Sequence, residues 1–364
     1  MEPKIDFMGR NMAVGDVAAH ITSNGCLDIG KLQPYIGNDG RSYVTIFRGG
    51  DPKKLENYAS VPVPQINATL RRDEWKYLDE AILPEARTRL NGIQDLIDNG
   101  LTYTIGNGMG STVLEYHDVS DAMEADLTMD GITRSTGDRP DFGVKYLPLP
   151  IIHVDFEINL RVLNASRTMG NALDTTAAEM ATRKVAEKLE QMLFTNTSYT
   201  YGGGTIYSYI NATNRNQVTL AQNWDASGKT GAEIIADVLS MKQASINDKH
   251  YGPWMLYIPT AYETVLDDDY DSTTPGTTIR ERILKIEGIK GVKVIDTLTA
   301  NNVLLVEMRK ETVRLIQGMG IQPIEWRTEG GLVTKYKVMT IQVPQIRADA
   351  SGNSGIIHLA SSFV

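Results

Sequence analysis

Alternation and helical spacing divide this chain before any motif does. From position 152, Ile152, Val154, Phe156, Ile158, Leu160 and Val162 fall on one side of an extended chain, and His153, Asp155, Glu157, Asn159 and Arg161 on the other. A period of two is the mark of a half-buried strand. Asn164, Ser166, Gly170 and Asn171 interrupt it. Thr176-Ala-Ala-Glu179 then has the form of a capping box opening a long helix. Ala178, Ala181, Val185, Leu189 and Met192 follow at spacings of three and four, one narrow apolar stripe. Arg183, Lys184, Glu187, Lys188 and Glu190 are predicted to form its wet side.

Upstream, Trp75, Leu78, Ile82, Ala86, Leu90, Ile93 and Ile97 keep helical spacing. Asn99-Gly100 provides a C-terminal stop, and Pro84 must kink or divide this helix. Glycines 106, 108 and 110 lead into Val113, Leu114 and Tyr116, an outgoing strand. Residues 117–150 then carry many charges and few large apolar side chains. Two strands joined by so long a polar stretch predict a projecting hairpin with almost no core of its own, and loops of that length are generally functional.

Beyond the long helix, Gly202–Gly204 predict a flexible loop. A second capping box, Thr230-Gly-Ala-Glu233, opens a helix bearing Ile234, Ile235, Val238 and Leu239. Residues 254–258 read as a buried strand, 262–265 and 279–284 as helices, and 292–295, 303–306, 313–316, 335–343 and 356–359 as strands. Residues 230–320 thus mix helices and strands as a compact α/β unit does. Residues 1–70 show no self-sufficient core: they either borrow apolar partners from elsewhere, another subunit included, or form a frayed extension.

Bulk properties narrow the function. A chain of 364 residues with 41% hydrophobic content supports a sizeable core, as one elaborated domain or two. Its net charge of −9, with no cluster of Lys and Arg, argues against binding nucleic acid by phosphate neutralisation. Cys26 is the single cysteine, so no internal disulfide forms. Neither a transmembrane run nor a signal peptide is apparent. These features predict a soluble protein of cytoplasm-like conditions.

Candidate chemistry is sparse. Gly228-Lys229-Thr230 resembles the tail of a phosphate loop, but Asn223 stands where the first glycine belongs. Gly106-Asn-Gly-Met-Gly110 precedes a strand and is read as a turn. Asp267, Asp268, Asp269 and Asp271 could attract a divalent cation, yet Thr274 and Arg280 occupy the glycine and bidentate-glutamate positions of a calcium loop. His20, His117, His153, His250 and His358 are scattered without zinc spacing. No catalytic, cofactor or metal site is predicted. An α/β enzyme with a substrate loop at 117–150 remains the reading from a different class, and it would require converging titratable groups.

The order of parts is the strongest signal. Trp75-Lys-Tyr-Leu-Asp-Glu80 with Arg87 and Leu90, the glycine turn at 106–110, the strand at 151–163 with the helix at 174–194, and Tyr251-Gly-Pro-Trp-Met-Leu-Tyr-Ile258 followed by Val292-Lys-Val-Ile295 and Asn301-Asn-Val-Leu-Leu-Val306 resemble the major capsid protein of tailed bacteriophages, the Hong Kong 97-like fold, nearest its encapsulin-like branch. The resemblance covers about residues 71–345. It implies an α+β fold comprising an N-terminal arm (1–70), a first helix (71–114), an extended loop (115–150), a peripheral domain with a spine helix (151–229), an axial domain (230–325) and terminal peripheral strands (326–364).

The resemblance further implies a structural, non-enzymatic protein whose main partner is itself, as hexamers and pentamers in an icosahedral head. Scaffold, portal and decoration proteins would be further partners. The shell would enclose double-stranded DNA without sequence-specific binding, as a virion assembled in the host cytoplasm with no membrane involvement. The alternative is an encapsulin-type nanocompartment enclosing cargo enzymes. An arm of this length favours the viral shell. Expected inter-subunit contacts are Asp126, Arg134, Asp138, Arg139, Asp141 and Lys145, with Arg134 and Arg139 pairing against the aspartates. Asp267, Asp268, Asp269 and Asp271 are expected near the capsomer axis. Lys145 is the only lysine of the extended loop, and it lies near the base, so no covalent chainmail is expected.

Overall fold

The computed structural model describes residues 4–7, 11–14, 35–37, 41–47, 58–62, 91–119, 129, 142–159, 161, 164, 175–270, 276–328, 333–349 and 352–363. The helix predicted before residue 91, its kink at Pro84, and residues His20 and Cys26 lie outside these. In the arm, β1 (Lys4–Phe7) pairs with β2 (Asn11–Val14), and β3 (Tyr35–Ile36), β4 (Ser42–Phe47) and β5 (Tyr58–Pro62) form a three-stranded sheet. Tyr35 packs on the main core, so this part of the arm borrows apolar partners from its own chain.

Helix α1 (Asn91–Asp98) ends where the sequence places its stop. Gly100 adopts φ +67°, a left-handed conformation that glycine enters without penalty. The Gly100 N–H donates to Ile97 O and the Leu101 N–H to Leu96 O, which together satisfy the last carbonyls of the helix. Strand β6 (Thr102–Thr104), the turn at 106–110, β7 (Val113–Val119) and β8 (Phe142–Pro148) follow.

Strand β9 (Ile152–Asn159) alternates half-buried and exposed residues along its whole length, as its period-two pattern requires. It forms one edge of a four-stranded sheet, ordered β6-β16-β17-β9, with the long hairpin strands β16 (Val313–Thr328) and β17 (Val333–Ile346). Short strands were predicted at 313–316 and 335–343. Instead β16 runs on through Gly318 and Gly320, its register shifting between Gln317 and Gln322. The shift has a local cause: Gly318 meets Gly108 backbone to backbone, leaving no room for a Cβ at either position.

The spine helix α2 (Thr176–Phe194) lies across the inner face of this sheet. Two expectations fail in it. Its N-cap is Thr175 rather than Thr176, and the Thr175 hydroxyl donates to the Glu179 carboxylate instead of accepting a backbone N–H. Glu190, placed on the wet side by spacing, is buried. The buried surface is two rows wide: Ala178, Ala181, Val185 and Leu189 are flanked by Thr182, Ala186, Glu190 and Phe194 at intervals of four.

After α2 come β10 (Tyr199–Tyr201), β11 (Gly204–Ile206) and β12 (Asn216–Thr219). Helix α3 (Gly231–Asn247) has the predicted capping box: Thr230 N–H donates to Glu233, and Glu233 N–H to the Thr230 hydroxyl. Strand β13 (Trp254–Pro259), a 3-10 turn (Thr260–Tyr262), α4 (Glu263–Leu266), α5 (Ile279–Leu284), β14 (Ile289–Ile295), β15 (Asn302–Glu307) and β18 (Ile356–Ala360) complete the chain. The five-stranded sheet is ordered β12-β18-β15-β13-β14.

The continuous apolar runs of β13 and β15 follow from burial on both faces. Trp254, Leu256, Ile258, Val303 and Leu305 face α3 and α5. Met255, Tyr257, Leu304 and Val306 face the core beneath α1 and α2. In the five-stranded sheet β18 lies between β12 and β15, while β16 belongs to the four-stranded one.

Candidate assembly surface

The base of the long hairpin is fixed and its shaft is bare. Strands β7 and β8 pair antiparallel from Val113↔Pro148 to Val119↔Phe142. At the root, Leu147 and Leu149 are buried with Ile206, Ile316, Ile341 and Val343, and Leu114 and Tyr116 pack on them. On the opposite face of the same strand Val144 and Tyr146 are 46% and 43% exposed. Seven residues of antiparallel strand extend roughly 24 Å, so the strand pair reaches beyond the root.

Gly202–Gly204, predicted as a flexible loop, instead make the buttress of that root. Tyr201 pairs with Gly204 across a two-residue turn in which Gly202 and Gly203 have φ +59° and +82°. Both central residues of such a turn need positive φ, which two glycines supply. Gly204 then lies against the β8 backbone: a Cβ there would come 2.6 Å from Tyr146 C and 3.0 Å from Pro148 Cδ. Tyr199 and Tyr201, about half exposed, flank the seat on the face shared with buried Ile206. Between hairpin and buttress runs a groove of ≈ 260 Å³, lined by residues including Tyr116, Lys145, Thr205, Tyr207, Pro344 and Ile346. Lys145 stands directly opposite Tyr116 at its edge. Asp126, Arg134, Asp138, Arg139 and Asp141 lie outside the described residues.

The acidic loop is tied down internally. The Asp267 carboxylate accepts from Arg280 Nε at 2.8 Å, Asp268 from Asp269 N–H at 2.9 Å, and Asp269 from Gly276 N–H at 3.4 Å. Arg280, the residue that breaks the calcium pattern, closes on the first of these carboxylates. No group of three or more potential metal ligands occurs among the described residues. Asp271 is not among them.

Three buried polar clusters went unpredicted from the sequence. Glu307, 1% exposed, accepts from Gly252 N–H at 2.9 Å and the Thr312 hydroxyl at 2.8 Å, and its carboxylate also meets His250 Nδ1. The hydrogen bond to Glu307 holds His250 above its ordinary value. Burial favours the neutral acid at Glu307, but the bonds from His250 and Thr312 hold it low. His358 Nδ1 accepts from Arg215 Nε at 3.2 Å, while Nε2 meets Asn302 Oδ1 at 2.6 Å. Burial, with the Arg215 charge adding to it, lowers that imidazole to about 4.

The third cluster joins α1 to α2. Both oxygens of Glu190 accept from Gly92 N–H at 3.3 and 3.4 Å. Asp95 accepts from the Tyr257 hydroxyl at 3.1 Å, and Lys293 Nζ stands 3.9 Å from its other oxygen. Burial raises Asp95 and pushes the Glu190 carboxyl up to about 7, with Asp95 and Asp296 adding to the rise at Glu190. The i, i+4 row Thr182–Ala186–Glu190–Phe194 was the available signal for Glu190, concealed by its polar members.

Comparison with known proteins places this architecture. The family of unknown function DUF6260 matches residues 65–359. The chain belongs to that family. It is 23% identical over 256 residues to the type 1 encapsulin shell protein EncA of Myxococcus xanthus, spanning 69% of this chain and 81% of the relative. A virus-like particle from Pyrococcus furiosus superposes with TM-score 0.56 at 17% identity, over 78% of this chain and 98% of the other. The capsid of Myoviridae phage XM1 superposes with TM-score 0.54 at 8% identity, over 73% and 91%. The DUF6260 chain therefore has the Hong Kong 97-like capsid fold, and its α+β arrangement agrees with the order of elements in the sequence.

Proposed function

We propose that this chain is a structural shell subunit, the major capsid protein of a tailed phage, assembling as hexamers and pentamers around double-stranded DNA. The observation that carries the reading is the hairpin: a shaft rooted in a small core on one face and buttressed by the Gly202–Gly203 turn, with Val144 and Tyr146 exposed on its other face. A strand pair with so little apolar support is stable when laid on another surface, and in a shell that surface is the adjacent subunit. Arg134 and Arg139 would pair there with Asp126, Asp138 or Asp141, each exposed pair contributing about 0–1 kcal/mol. Lys145 would lie at the seam's inner end. A closed shell repeats each contact many times.

Asp267, Asp268, Asp269 and Asp271 would approach the capsomer axis, with Arg280 already neutralising the first. The net charge of −9 suits a container that does not grip packed DNA. Scaffold, portal and decoration proteins would complete a head assembled in the host cytoplasm. The shell would act structurally, without catalysis. A second reading, a nanocompartment around cargo enzymes, is favoured specifically by the similarity to the Myxococcus shell protein.

Expression of the chain alone, followed by sedimentation and negative-stain microscopy, tests the proposal. Closed particles, tubes or ring capsomers support it, and particle diameter and contents separate head from compartment. A monodisperse monomer at every salt and pH tried would overturn both readings.

A further inference from the structure

Glu190 on α2 and Asp95 on α1 are both buried where the two helices meet at Gly92, and the charge of Asp95 acts on Glu190. The seam is tight. A Cβ at Gly92 would lie 2.8 Å from Phe194 Cζ and 3.3 Å from Leu193 Cδ1, so only a hydrogen separates the helices there. Below it Phe194 stacks edge-on against Tyr209 and Tyr257, with ring centroids 5.4 and 5.0 Å apart. The cluster spans both sheets' supports: α2 covers the four-stranded sheet, whereas Tyr257 lies in β13 and Lys293 in β14 of the five-stranded one. Lys290, also in β14, reaches Asn99 Oδ1 beyond the end of α1 at 3.1 Å.

Among the described residues, the surrounding charges do not compensate two ionised carboxylates. From α1 come Asp95 and Asp98, from α2 Glu190, and from beyond β14 Asp296. The phenols of Tyr209 and Tyr257 are both fully buried, and the Tyr209 hydroxyl has no hydrogen-bond partner among the described residues. Among the described residues Lys293 is the one cation in reach; it is half exposed and sits on Asp95, not Glu190. Among them too, Glu190 receives a single, shared backbone N–H. A carboxylate buried with so little donor support is held best as the neutral acid.

We propose that Glu190 and Asp95 form a proton-controlled latch, which clamps α1 to the spine helix and to the five-stranded sheet while one proton resides on the pair and loosens the clamp when both carboxylates ionise. Raising the pH removes the proton from the closed seam, placing two negative charges in it, and opening restores solvent to them. The latch belongs to the single chain and does not rest on shell formation.

Hydrogen exchange of the purified full chain tests it, with protection of the amides in 92–101 normalised for intrinsic rates. Taking the carboxyl at 4.5 when opened and about 7 when closed, the opening equilibrium rises on the order of 30-fold between pH 5.5 and pH 8. In Glu190→Gln, whose amide stays neutral, protection is expected to be independent of pH over that interval. A carboxylic-acid infrared band that titrates near neutrality in the wild type should be missing from the variant. Wild-type protection that does not change with pH, or a Glu190→Gln protein that keeps the wild-type slope, overturns the latch. Asp95→Asn serves as the second variant, because its amide oxygen still accepts from Tyr257 while one charge is removed. It should move the wild-type transition to lower pH, and an unmoved transition would also overturn the latch.

Discussion

Gly204→Ala is the most direct probe of how the hairpin is aimed. Gly204 has no positive φ, so alanine suits its backbone and the effect is purely one of space. The new Cβ would stand 2.6 Å from Tyr146 C and 3.0 Å from Pro148 Cδ, whereas ordinary contact begins at 3.4 Å. Because the Tyr146 carbonyl oxygen lies nearer still, the buttress must retreat by more than about 0.8 Å from β8, lifting Ile206 from Leu147 and its neighbours. Overpacking of this kind costs about 1–3 kcal/mol. Gly106→Ala is the matched control, since Gly106 has neither positive φ nor any atom within 4 Å of its Cβ position. Urea unfolding should show Gly204→Ala destabilised by that amount and Gly106→Ala within about 0.5 kcal/mol of wild type. Limited proteolysis should cut the Gly204→Ala hairpin faster, and sedimentation should show fewer assembled particles. If both alanines unfold and assemble alike, the glycine turn does not aim the hairpin.

Other outcomes follow from the same structure. Leu147→Ala removes the hairpin's main apolar anchor and should destabilise the protein by about 2–4 kcal/mol in urea. The His250–Glu307 pair should make stability pH-dependent with a maximum between. Its raised histidine contributes fully below its ordinary 6.5 and fades as pH rises through its higher folded value; the lowered Glu307 contributes above its ordinary 4.5 and fades as pH falls through its lower one. His250→Gln should therefore lose the most stability between about pH 4.5 and 6.5, on the order of 1.5–3 kcal/mol in urea unfolding, and less above about pH 8. Particles boiled in denaturant should run as single chains, because Lys145 is the only lysine of the extended loop and sits at its base; a ladder of cross-linked bands would refute that.

Much of the fold was legible because local and global preferences agree. The alternation of β9, the two-sided apolar runs of β13 and β15, the capping box at Thr230 and the stop at Gly100 each follow from a rule spanning a few residues. What stayed hidden depends on distant partners. Asn216 pairs with Ile357, a register no local pattern contains, so β12 and β18 could not be assigned to their sheet. The predicted strand stopped at Ile316, and only the approach of Gly108 to Gly318 explains the bulge by which it continues as one long strand. Three glycines read as freedom, yet two of them form a turn and the third a seat. The candidate surface was legible as a polar projection, but its root in Leu147 and its buttress were not. Glu190 was misplaced because polar side chains on a helix are normally wet, and here the neighbouring α1 covers them.

The distribution of support across the molecule matters more to a shell than its total. The five-stranded sheet is packed on both faces and the four-stranded sheet is covered by α2, so each behaves as a stiff block. Against them packs α1, whose Ile93 and Leu96 enter the main core and whose other side carries the buried carboxylate Asp95 near Glu190 and one partly solvated lysine. The hairpin departs from the stiff part by a root of a few apolar residues. Change is thereby concentrated at two places, the α1 seam and the hairpin root, where small free energies act on large levers. In the proposed shell of hexamers and pentamers, identical subunits would occupy non-identical surroundings, and bending at the hairpin root and the α1 seam would meet that demand while the sheets stay rigid. If Gly204→Ala changes particle form while Glu190→Gln changes only the pH response of α1, the two seams act independently. If each variant produces both effects, the root and the latch are one mechanical unit.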